Sequence, residues 1–412
     1  MDKDMLTQTT TAAQWFAAIA SLVVVCSVST TRYLLFGPLM SSWDYQTQLS
    51  RDLIRYLNKE PSEQPFWMFV NSASHEYWPA IGRFLQWPST TQHARPFTIP
   101  AYPLDDVSLA RAGIWASKLA NIAHSSVEMH MYAECIFVSS EQAFTTDSHP
   151  KPQDKAILYF HGGAYVVGSV EQYRSILTRL SKVSELPVYA FNYRLAPESQ
   201  YPTQLYDAFC AFRHLRILGY TEQNIVFAGD SAGGNLALAL WQLLHVELSA
   251  MLLLSPRVDV TSIRPSWKQF YEIDVLDPYD IASPYSSIRK LLLPPGAEPT
   301  SDTLDMLEDP FIAPVHANLT GIPTTLVQVG TAEMMLDDVR DFVQQASAQN
   351  INDGISSGMS CVQLQTFPDM FHVFQAAPLG TRIQQRAWES IGSFIKSLDN
   401  ATQHSLHGAL PI

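Results

Sequence analysis

One serine lies in a glycine-rich turn between an apolar strand-like run and a run of strong helix formers. The turn reads GDSAG at 229–233, follows the apolar residues 225–228 and precedes LALAL at 236–240. Small flanking residues permit the strained turn that lifts a serine Oγ above the edge of a sheet. The N-terminus of the following helix favours negative charge developing nearby. The pattern predicts that Ser231 is the nucleophile of an acyl transfer.

A second glycine-rich turn offers hydrogen-bond donors for the oxyanion that such an attack creates. It reads HGGAY at 161–165 and follows the apolar run at 156–160. Backbone N–H groups stabilise a tetrahedral intermediate best when small residues allow close approach. We therefore expect an oxyanion hole formed by the amides of Gly163, Ala164 and Ala232, the last being the residue after the nucleophile.

The general base is expected to be a histidine that follows the serine and an acid in the chain. His372 comes directly after the last predicted strand, at 362–367, where its loop can reach back over the sheet edge. His316 is the second candidate. The other downstream histidines lie on the helix after the serine or in the polar C-terminal tail: His245, His404 and His407.

The acid that orients the histidine is expected after the predicted strand at 325–329. Glu333 falls in the turn just past this strand, a position from which a carboxylate can orient an imidazole. Asp337 and Asp338 are the alternatives, although acidic residues in the first turn of a helix also complement the helix dipole.

Strand-like and helix-like segments alternate along the chain after residue 130. This alternation predicts a mostly parallel sheet covered by helices on both faces. The rhythm breaks between about 260 and 310, where an aromatic-rich segment without a strand signal predicts a lid. The predicted strands are 135–138, 156–160, 188–191, 225–228, 251–254, 325–329 and 362–367, and the clearest helices are 173–183, 336–348 and 383–398.

Four ordered motifs resemble the hormone-sensitive-lipase family of α/β-hydrolases, especially its arylacetamide deacetylase and fungal steryl acetyl hydrolase branch. They are HGGA at 161–164, NYRLAPE at 192–198, GDSAGGN at 229–235, and Ser255-Pro256 with Asp259. The resemblance covers about 127–396. It implies an α/β-hydrolase fold with an eight-stranded core, a helical cap, and hydrolysis without a metal or cofactor.

The chain departs from this family's pattern at two positions. Ala164 stands where the family commonly has a third glycine, and Glu333 stands where it usually has aspartate. Tyr193 and Arg194 correspond to residues that fix the loop carrying His161. The resemblance therefore implies a scaffold role for these two side chains.

Three regions are expected: an N-terminal membrane anchor at 12–31, a helical cap region at 44–126, and a catalytic domain at 127–398 with the insertion at about 260–310. Residues 12–31 carry no charge and are roughly long enough to span a bilayer. We therefore expect a single-pass membrane protein of the endoplasmic reticulum.

The side of the membrane on which the catalytic domain lies is left open by the sequence. Arg32, Arg51 and Arg55 favour a cytosolic catalytic domain by the positive-inside rule. The glycosylation triplets at Asn318 and Asn400 matter only in a lumen.

Composition excludes several other classes of protein. The net charge of −13 argues against a nucleic-acid partner, which requires clustered basic residues. Cys26, Cys135, Cys210 and Cys361 lack metal-ligand spacing and are expected to be free thiols. No motif for a metal stands out, and oligomeric state is not readable from the sequence.

These observations predict a carboxylic ester hydrolase that cleaves a short acyl or acetyl ester of a lipophilic small molecule, such as an acetylated sterol or terpenoid-like compound. An amidase or deacetylase acting on an N-acyl substrate uses the same residues and stays open as an alternative. A non-catalytic ligand receptor of the same fold, or a membrane protein in which the fold only mediates contacts, are further alternatives.

Overall fold

The structure, a computed structural model, describes residues 12–58, 94–138, 155–261, 264–276, 287–294, 296–352, 361–378 and 380–407. The strands are β1 (Ala94–Pro100), β2 (His130–Ile136), β3 (Ala156–Phe160), β4 (Val188–Phe191), β5 (Ile225–Asp230), β6 (Ala250–Leu254), β7 (Thr325–Gly330) and β8 (Val362–Phe367).

The α-helices are α1 (Ala12–Phe36), α2 (Tyr45–Asn58), α3 (Asp106–Arg111), α4 (Ala116–Ser125), α5 (Val170–Ser184), α6 (Thr203–Ile217), α7 (Ala232–Leu244), α8 (Pro265–Gln269), α9 (Ser287–Leu292), α10 (Ser301–Asp305), α11 (Leu336–Asn352) and α12 (Arg382–His407). Short 3₁₀ turns lie at Gly113–Trp115, Glu222–Asn224, Met306–Glu308, Pro314–His316 and Phe374–Ala376.

The eight described strands form one sheet in the order β1-β2-β4-β3-β5-β6-β7-β8. The six strands β4, β3, β5, β6, β7 and β8, in this order across the sheet, pair in parallel. Strand β2 is antiparallel to both of its neighbours, β1 and β4. The predicted α/β-hydrolase fold with a mostly parallel eight-stranded sheet is confirmed. Because ligands bind beyond the carboxyl ends of parallel strands, the turns after β5, β6, β7 and β8 are the expected site.

Apolar cores cover both faces of the sheet, as a parallel sheet requires. Every residue of β3, β5 and β6 is buried. Helices α5 and α12 pack on one face, where Leu177, Leu180 and Ile391 belong to one cluster. Helices α4, α6 and α7 lie on the other face, within a larger cluster that includes Leu119 and Trp241. All four cysteines are free.

The strand β1 lies in a region that the sequence led us to expect as helices and loops only. Pro96 and Pro100 within it weaken a strand prediction, because proline cannot donate to a sheet ladder. The strand is at the edge of the sheet and pairs only with β2, so these prolines are tolerated. The neighbouring strand β2 begins at His130 rather than at the predicted residue 135. The sequence did not indicate the earlier start because Glu134 interrupts the apolar run. In the structure Glu134 is buried, and its Oε2 accepts a hydrogen bond from Arg174 Nε at 2.9 Å.

The predicted membrane anchor is wrong. Among the described residues, no helix combines the length and the apolar character needed to cross a membrane. The predictions of a single-pass membrane localisation and of the membrane as a partner depended on this anchor and are wrong as well. Helix α1 runs on through Arg32 to Phe36. Its Ser29 Oγ donates to Asp52 of α2 at 2.6 Å, a polar contact that a count of uncharged residues along 12–31 does not reveal.

The two glycosylation triplets lie in different surroundings. Asn318 is exposed, and its Oδ1 accepts a hydrogen bond from the backbone N–H of Thr320 at 3.0 Å. Asn400 falls within α12, and its side chain lies outside the described residues. Glycosylation at either site stays a prediction, as does the division of the chain into cap and catalytic regions.

Candidate active site

The turn after β5 holds Ser231 in a conformation that few non-glycine residues adopt. Its φ is +50° and its ψ is −120°, and the side chain is 7% exposed. The Ser231 N–H donates to Leu254 O at 3.0 Å, and its carbonyl accepts from Asn235 and Arg257 at 3.1 and 3.0 Å. These bonds lock the strained backbone between β6 and α7, as expected of a nucleophile elbow.

The close approach of α7 to the sheet depends on Gly233. A Cβ at this position would lie 2.0 Å from Phe160 O, at the carboxyl end of β3. We therefore expect Gly233→Ala to lower the free energy of unfolding by about 3 kcal/mol or more, measured by urea denaturation.

Gly321→Ala is the matched control for that variant. A Cβ at Gly321 would meet no atom within 4 Å, but the residue has φ +75°. Only the backbone strain should count there, so the expected loss is about 1 kcal/mol. Equal losses for the two variants would contradict the steric explanation.

Asp230 ties the turn after β5, which carries Ser231, to the loop after β3. Its carboxylate accepts hydrogen bonds from Tyr159 Oη at 2.8 Å, Tyr173 Oη at 3.0 Å and the Gly162 N–H at 2.9 Å. Burial raises the pKa of Asp230, while these three donors act against that rise. The carboxylate therefore holds the two glycine-rich turns in register.

The loop after β3 follows an unusual backbone path. Gly163, Ala164 and Tyr165 have φ values of +107°, +53° and +65°. A Cβ at Gly163 would lie 2.2 Å from Val167 O, so glycine is required there. Ala164 adopts a left-handed conformation in spite of its Cβ. The structure thus gives this position the backbone that a glycine would adopt.

The oxyanion candidates occupy both turns that Asp230 joins. Gly163 and Ala164 lie in the loop after β3, and Ala232 is the first residue of α7, where a helix leaves its N–H groups without intrahelical partners. The loop is braced by Tyr193, whose Oη donates to His161 O at 2.7 Å. The rings of Tyr193 and His161 stack with centroids 4.1 Å apart. Burial lowers the pKa of His161 to about 4, so this imidazole is neutral near pH 7.

The structure brings Glu333 and His372 together. Glu333 Oε2 lies 3.1 Å from His372 Nδ1, and both side chains are buried. Glu333 Oε1 accepts from Ser255 Oγ and from the Gly330 N–H, each at 2.6 Å. The carboxylate is therefore fixed by β6 and β7 while its second oxygen faces the imidazole, an arrangement that sets the tautomer with a proton on Nδ1.

The other imidazole nitrogen, His372 Nε2, is buried and has no hydrogen-bond partner in the described part of the chain. No hydrogen bond joins it to Ser231 Oγ in this structure. Such bonds are often long without substrate and tighten only in the reacting complex. The end of β6 and the loop after it nonetheless contact both regions. The Ser231 N–H donates to Leu254 O at 3.0 Å, and Ser255 Oγ accepts from the Val373 N–H of the histidine loop at 3.2 Å.

Electrostatics around His372 favour the imidazolium. Burial by itself lowers its pKa, but the hydrogen bond and charge of Glu333, with the charges of Asp274 and Asp230, outweigh burial and raise the pKa above its usual 6.5. An imidazole of this kind accepts a proton readily, and the neighbouring carboxylate stabilises its charged form.

The alternative acids and bases lie elsewhere. Asp337 Oδ2 accepts from the Ser266 N–H at 3.0 Å, and Asp338 Oδ2 accepts from Trp267 Nε1 at 2.8 Å, so both carboxylates hold α8 against α11. His316 is exposed in a 3₁₀ turn. His245 caps the far end of α7, and the side chains of His404 and His407 lie outside the described residues.

The sequence assigned no role to two polar residues of the site, although Ser255 belongs to one of the four motifs. Ser255 has φ +45° and bridges the loops of Glu333 and His372. Asp274, in the 260–310 insertion, is fully buried and accepts the backbone N–H groups of Met334 and His372, each at 2.8 Å. The one signal for Asp274 is its position between apolar residues, in the sequence IDVL at 273–276.

A small pocket lies beside the first turn of α7, which follows Ser231, and beneath the insertion. Asn235 fixes one wall, since its Nδ2 donates to Arg257 O at 2.9 Å and its Oδ1 accepts from Tyr165 Oη at 2.6 Å. The full lining is Tyr165, Asn235, Arg257, Val260, Ile288, Leu291, Leu292 and Ile312. No cluster of three or more metal-ligating side chains occurs among the residues described.

Comparison with known proteins agrees with the fold. The α/β-hydrolase fold family matches residues 157–376, and the chain belongs to this family. An esterase of Acinetobacter venetianus is 31% identical over 250 residues, covering 59% of this chain and 75% of that enzyme. An acetyl-hydrolase of Streptomyces hygroscopicus is 31% identical over 257 residues, covering 60% and 78%.

Solved structures show the same fold. The crystal structure of the esterase EstE5 soaked with p-nitrophenyl butyrate superimposes with a TM-score of 0.62 at 23% identity, over 86% of this chain and 99% of that one. An esterase of the bacterial hormone-sensitive-lipase family gives 0.61 at 23% identity, over 87% and 99%. The predicted class, a carboxylic ester hydrolase resembling the hormone-sensitive-lipase family, is confirmed. The arylacetamide deacetylase branch stays a prediction.

Proposed function

We propose that the protein cleaves a short acyl ester, an acetyl ester being the smallest case, of a lipophilic small molecule, with Ser231, His372 and Glu333 as its catalytic triad. The observation that carries this proposal is the contact of 3.1 Å between Glu333 Oε2 and His372 Nδ1. It leaves Nε2 of a buried histidine available at the sheet edge where the strained serine turn lies.

The proposed reaction has two stages. Ser231 Oγ attacks the acyl carbonyl carbon while His372 Nε2 takes the hydroxyl proton, and the oxyanion accepts hydrogen bonds from the N–H groups of Gly163, Ala164 and Ala232. Collapse breaks the ester C–O bond, and the leaving alkoxide takes the proton from His372. Water then attacks the acyl-enzyme with His372 again as base, which releases the acid and restores Ser231.

A short acyl group suits the compact surroundings of the serine. Bulky side chains of the insertion and of the loop after β3, Leu291, Leu292 and Tyr165 among them, line the pocket beside the first turn of α7. The similarity to an acetyl-hydrolase supports the same preference. The aromatic residues of the insertion, among them Trp267 and Phe270, support a lipophilic alcohol.

A panel of p-nitrophenyl esters tests this substrate class. We expect the acetate and butyrate to be hydrolysed with higher kcat/KM than the octanoate or longer esters. A preference for long chains would contradict the short acyl assignment. Faster cleavage of an acetanilide than of the matched phenyl acetate would instead favour the amidase.

The activity should depend on pH through His372. Because the carboxylates around it raise its pKa, kcat/KM should fall as the pH drops. The midpoint of this fall, the acid limb of the pH profile, should lie above 6.5, the ordinary pKa of histidine. The activity falls at low pH because the protonated imidazole cannot accept the Ser231 proton. A pH–rate profile measured with p-nitrophenyl acetate checks this, and activity undiminished at pH 5 would contradict the assignment of the base.

A further inference from the structure

One carboxylate joins the loops that carry the proposed acid and base. Asp274 Oδ2 accepts the Met334 N–H at 2.8 Å, directly after Glu333. Its Oδ1 accepts the His372 N–H at 2.8 Å and the N–H of Val275 at 2.7 Å. A single buried side chain from the insertion thus holds backbone groups from both loops.

The segment that carries Asp274 is itself held by two arginines of α2. Arg51 Nε donates to Ile273 O at 2.7 Å, and its Nη2 donates to Glu272 O. Arg55 Nη1 donates to Tyr271 O at 2.6 Å and also to Asp274 O. Four successive carbonyls, those of residues 271–274, therefore accept hydrogen bonds from the N-terminal helical region.

The same region contacts the histidine loop directly. Trp43 Nε1 donates to Asp369 O at 2.6 Å, and Ser42 Oγ donates to Asp369 Oδ2 at 2.7 Å. The Trp43 ring packs edge-on against Phe371, with centroids 6.0 Å apart. The N-terminal region thus fixes the base loop from one side while Asp274 fixes it from the other.

We propose that Asp274 is a positioning residue that aligns His372 with Glu333, and that Arg51 and Arg55 of α2 hold it in place. This inference rests on the proposed function, since it takes His372 as the base and Glu333 as the acid. Asp274 touches no reacting atom, so it acts through the two loops. Holding reacting groups in place is a large part of catalysis, and a displacement of about 1 Å can cost roughly 10²-fold in rate.

Charge gives Asp274 a second effect on His372. Burial raises the pKa of Asp274 to about 6, and the charge of His372 acts against that rise. In turn the Asp274 charge, with those of Glu333 and Asp230, raises the pKa of His372. From α2, Arg51 and Arg55 face the segment that bears Asp274, and Glu272 pairs with Arg55 at 3.6 Å.

Asp274→Asn separates positioning from simple stabilisation. Asparagine keeps an oxygen for the His372 N–H but turns an N–H₂ group towards the Met334 N–H. We expect kcat for p-nitrophenyl acetate to fall about 10- to 100-fold with little change in KM. With the charge gone, the pKa of His372 falls, so the acid limb of kcat/KM should move down by about 1 pH unit.

Asp259→Asn is the matched control, directly before the same insertion. Asp259 is also buried, and its carboxylate accepts from the backbone N–H and the hydroxyl of Thr261, at 2.7 and 2.8 Å. Within the described residues no hydrogen bond joins it to either loop. This variant should keep wild-type kcat and the wild-type acid limb. Arg51→Lys tests the support from α2: kcat should fall less than in Asp274→Asn and the acid limb should not move, because the Asp274 charge is kept.

Amide hydrogen exchange gives a readout that does not depend on activity. Segments 330–336 and 368–374 should exchange faster in Asp274→Asn and in Arg51→Lys, but not in Asp259→Asn. If the wild type hydrolyses esters and Asp274→Asn matches Asp259→Asn in kcat, acid limb and exchange, the positioning role is overturned and the proposed function stands. An inactive wild type would overturn the proposed function. The exchange rates would then test only whether Asp274 and Arg51 hold the two loops in place.

Discussion

Replacing Ser231 with alanine is expected to lower kcat for p-nitrophenyl acetate by about 10⁶-fold, the loss seen when the nucleophile of a triad acting as a unit is removed. Oγ is the atom proposed to form the acyl-enzyme. The other hydroxyl on a strained turn near His372, that of Ser255, is already engaged, because it donates to Glu333 and accepts from the Val373 N–H. The backbone of the turn is fixed by main-chain hydrogen bonds, so the variant should fold normally.

Stopped-time assays at high enzyme concentration measure the residual rate of Ser231→Ala. Ser255→Ala is not a suitable control because Ser255 touches Glu333 and the histidine loop. Ser249→Ala is suitable, since Ser249 lies before β6 at the opposite end of that strand and should retain full activity. A loss of less than 10-fold in Ser231→Ala would contradict the assignment of the nucleophile.

Glu333→Gln is expected to reduce kcat by about 10⁴-fold, the cost of losing the acid while the geometry stays intact. Glutamine can present an N–H₂ group to His372 Nδ1, which favours the tautomer with its proton on Nε2, where the serine proton must go. The loss of charge also removes the strongest influence raising the pKa of His372. Steady-state kinetics between pH 6 and 9 measure both effects.

Asp337→Asn is the matched control for the acid. Its carboxylate lies four residues along the chain but accepts from Ser266 of α8, so activity should stay within about 3-fold of wild type for a substitution away from the reacting groups. If Asp337→Asn lost as much activity as Glu333→Gln, the assignment of the acid would be wrong.

The sheet could be predicted from the sequence because its central strands are continuous apolar runs bounded by turn residues. Residues 156–160 and 188–191 were predicted with the bounds that the structure gives β3 and β4. The edge strand β1 could not be predicted, because Pro96 and Pro100 are acceptable in a strand only at the edge of a sheet. The position of a strand within a sheet depends on the tertiary structure, which local sequence does not reveal. The error at α1 is of another kind, because it concerns the length and apolar character that a membrane-spanning helix needs.

The candidate site, like the sheet, could be predicted from the sequence only in part. The residues after strands could be found from local patterns, because the carboxyl ends of neighbouring parallel strands share an edge. Ser231, Glu333 and His372 were identified in this way, and the structure brings the last two into contact. Asp274 could not be found, because it joins His372 across 98 positions in the chain through a backbone N–H, a contact that leaves no local pattern.

Covalent labelling tests the central claim most directly. A fluorophosphonate probe reacts with a serine that an imidazole has activated, and mass spectrometry of the digested adduct locates the modified residue. We expect the adduct on the peptide containing Ser231, with labelling abolished in Ser231→Ala and strongly slowed in Glu333→Gln. An adduct on another serine, or no adduct on the folded wild-type protein, would contradict the account.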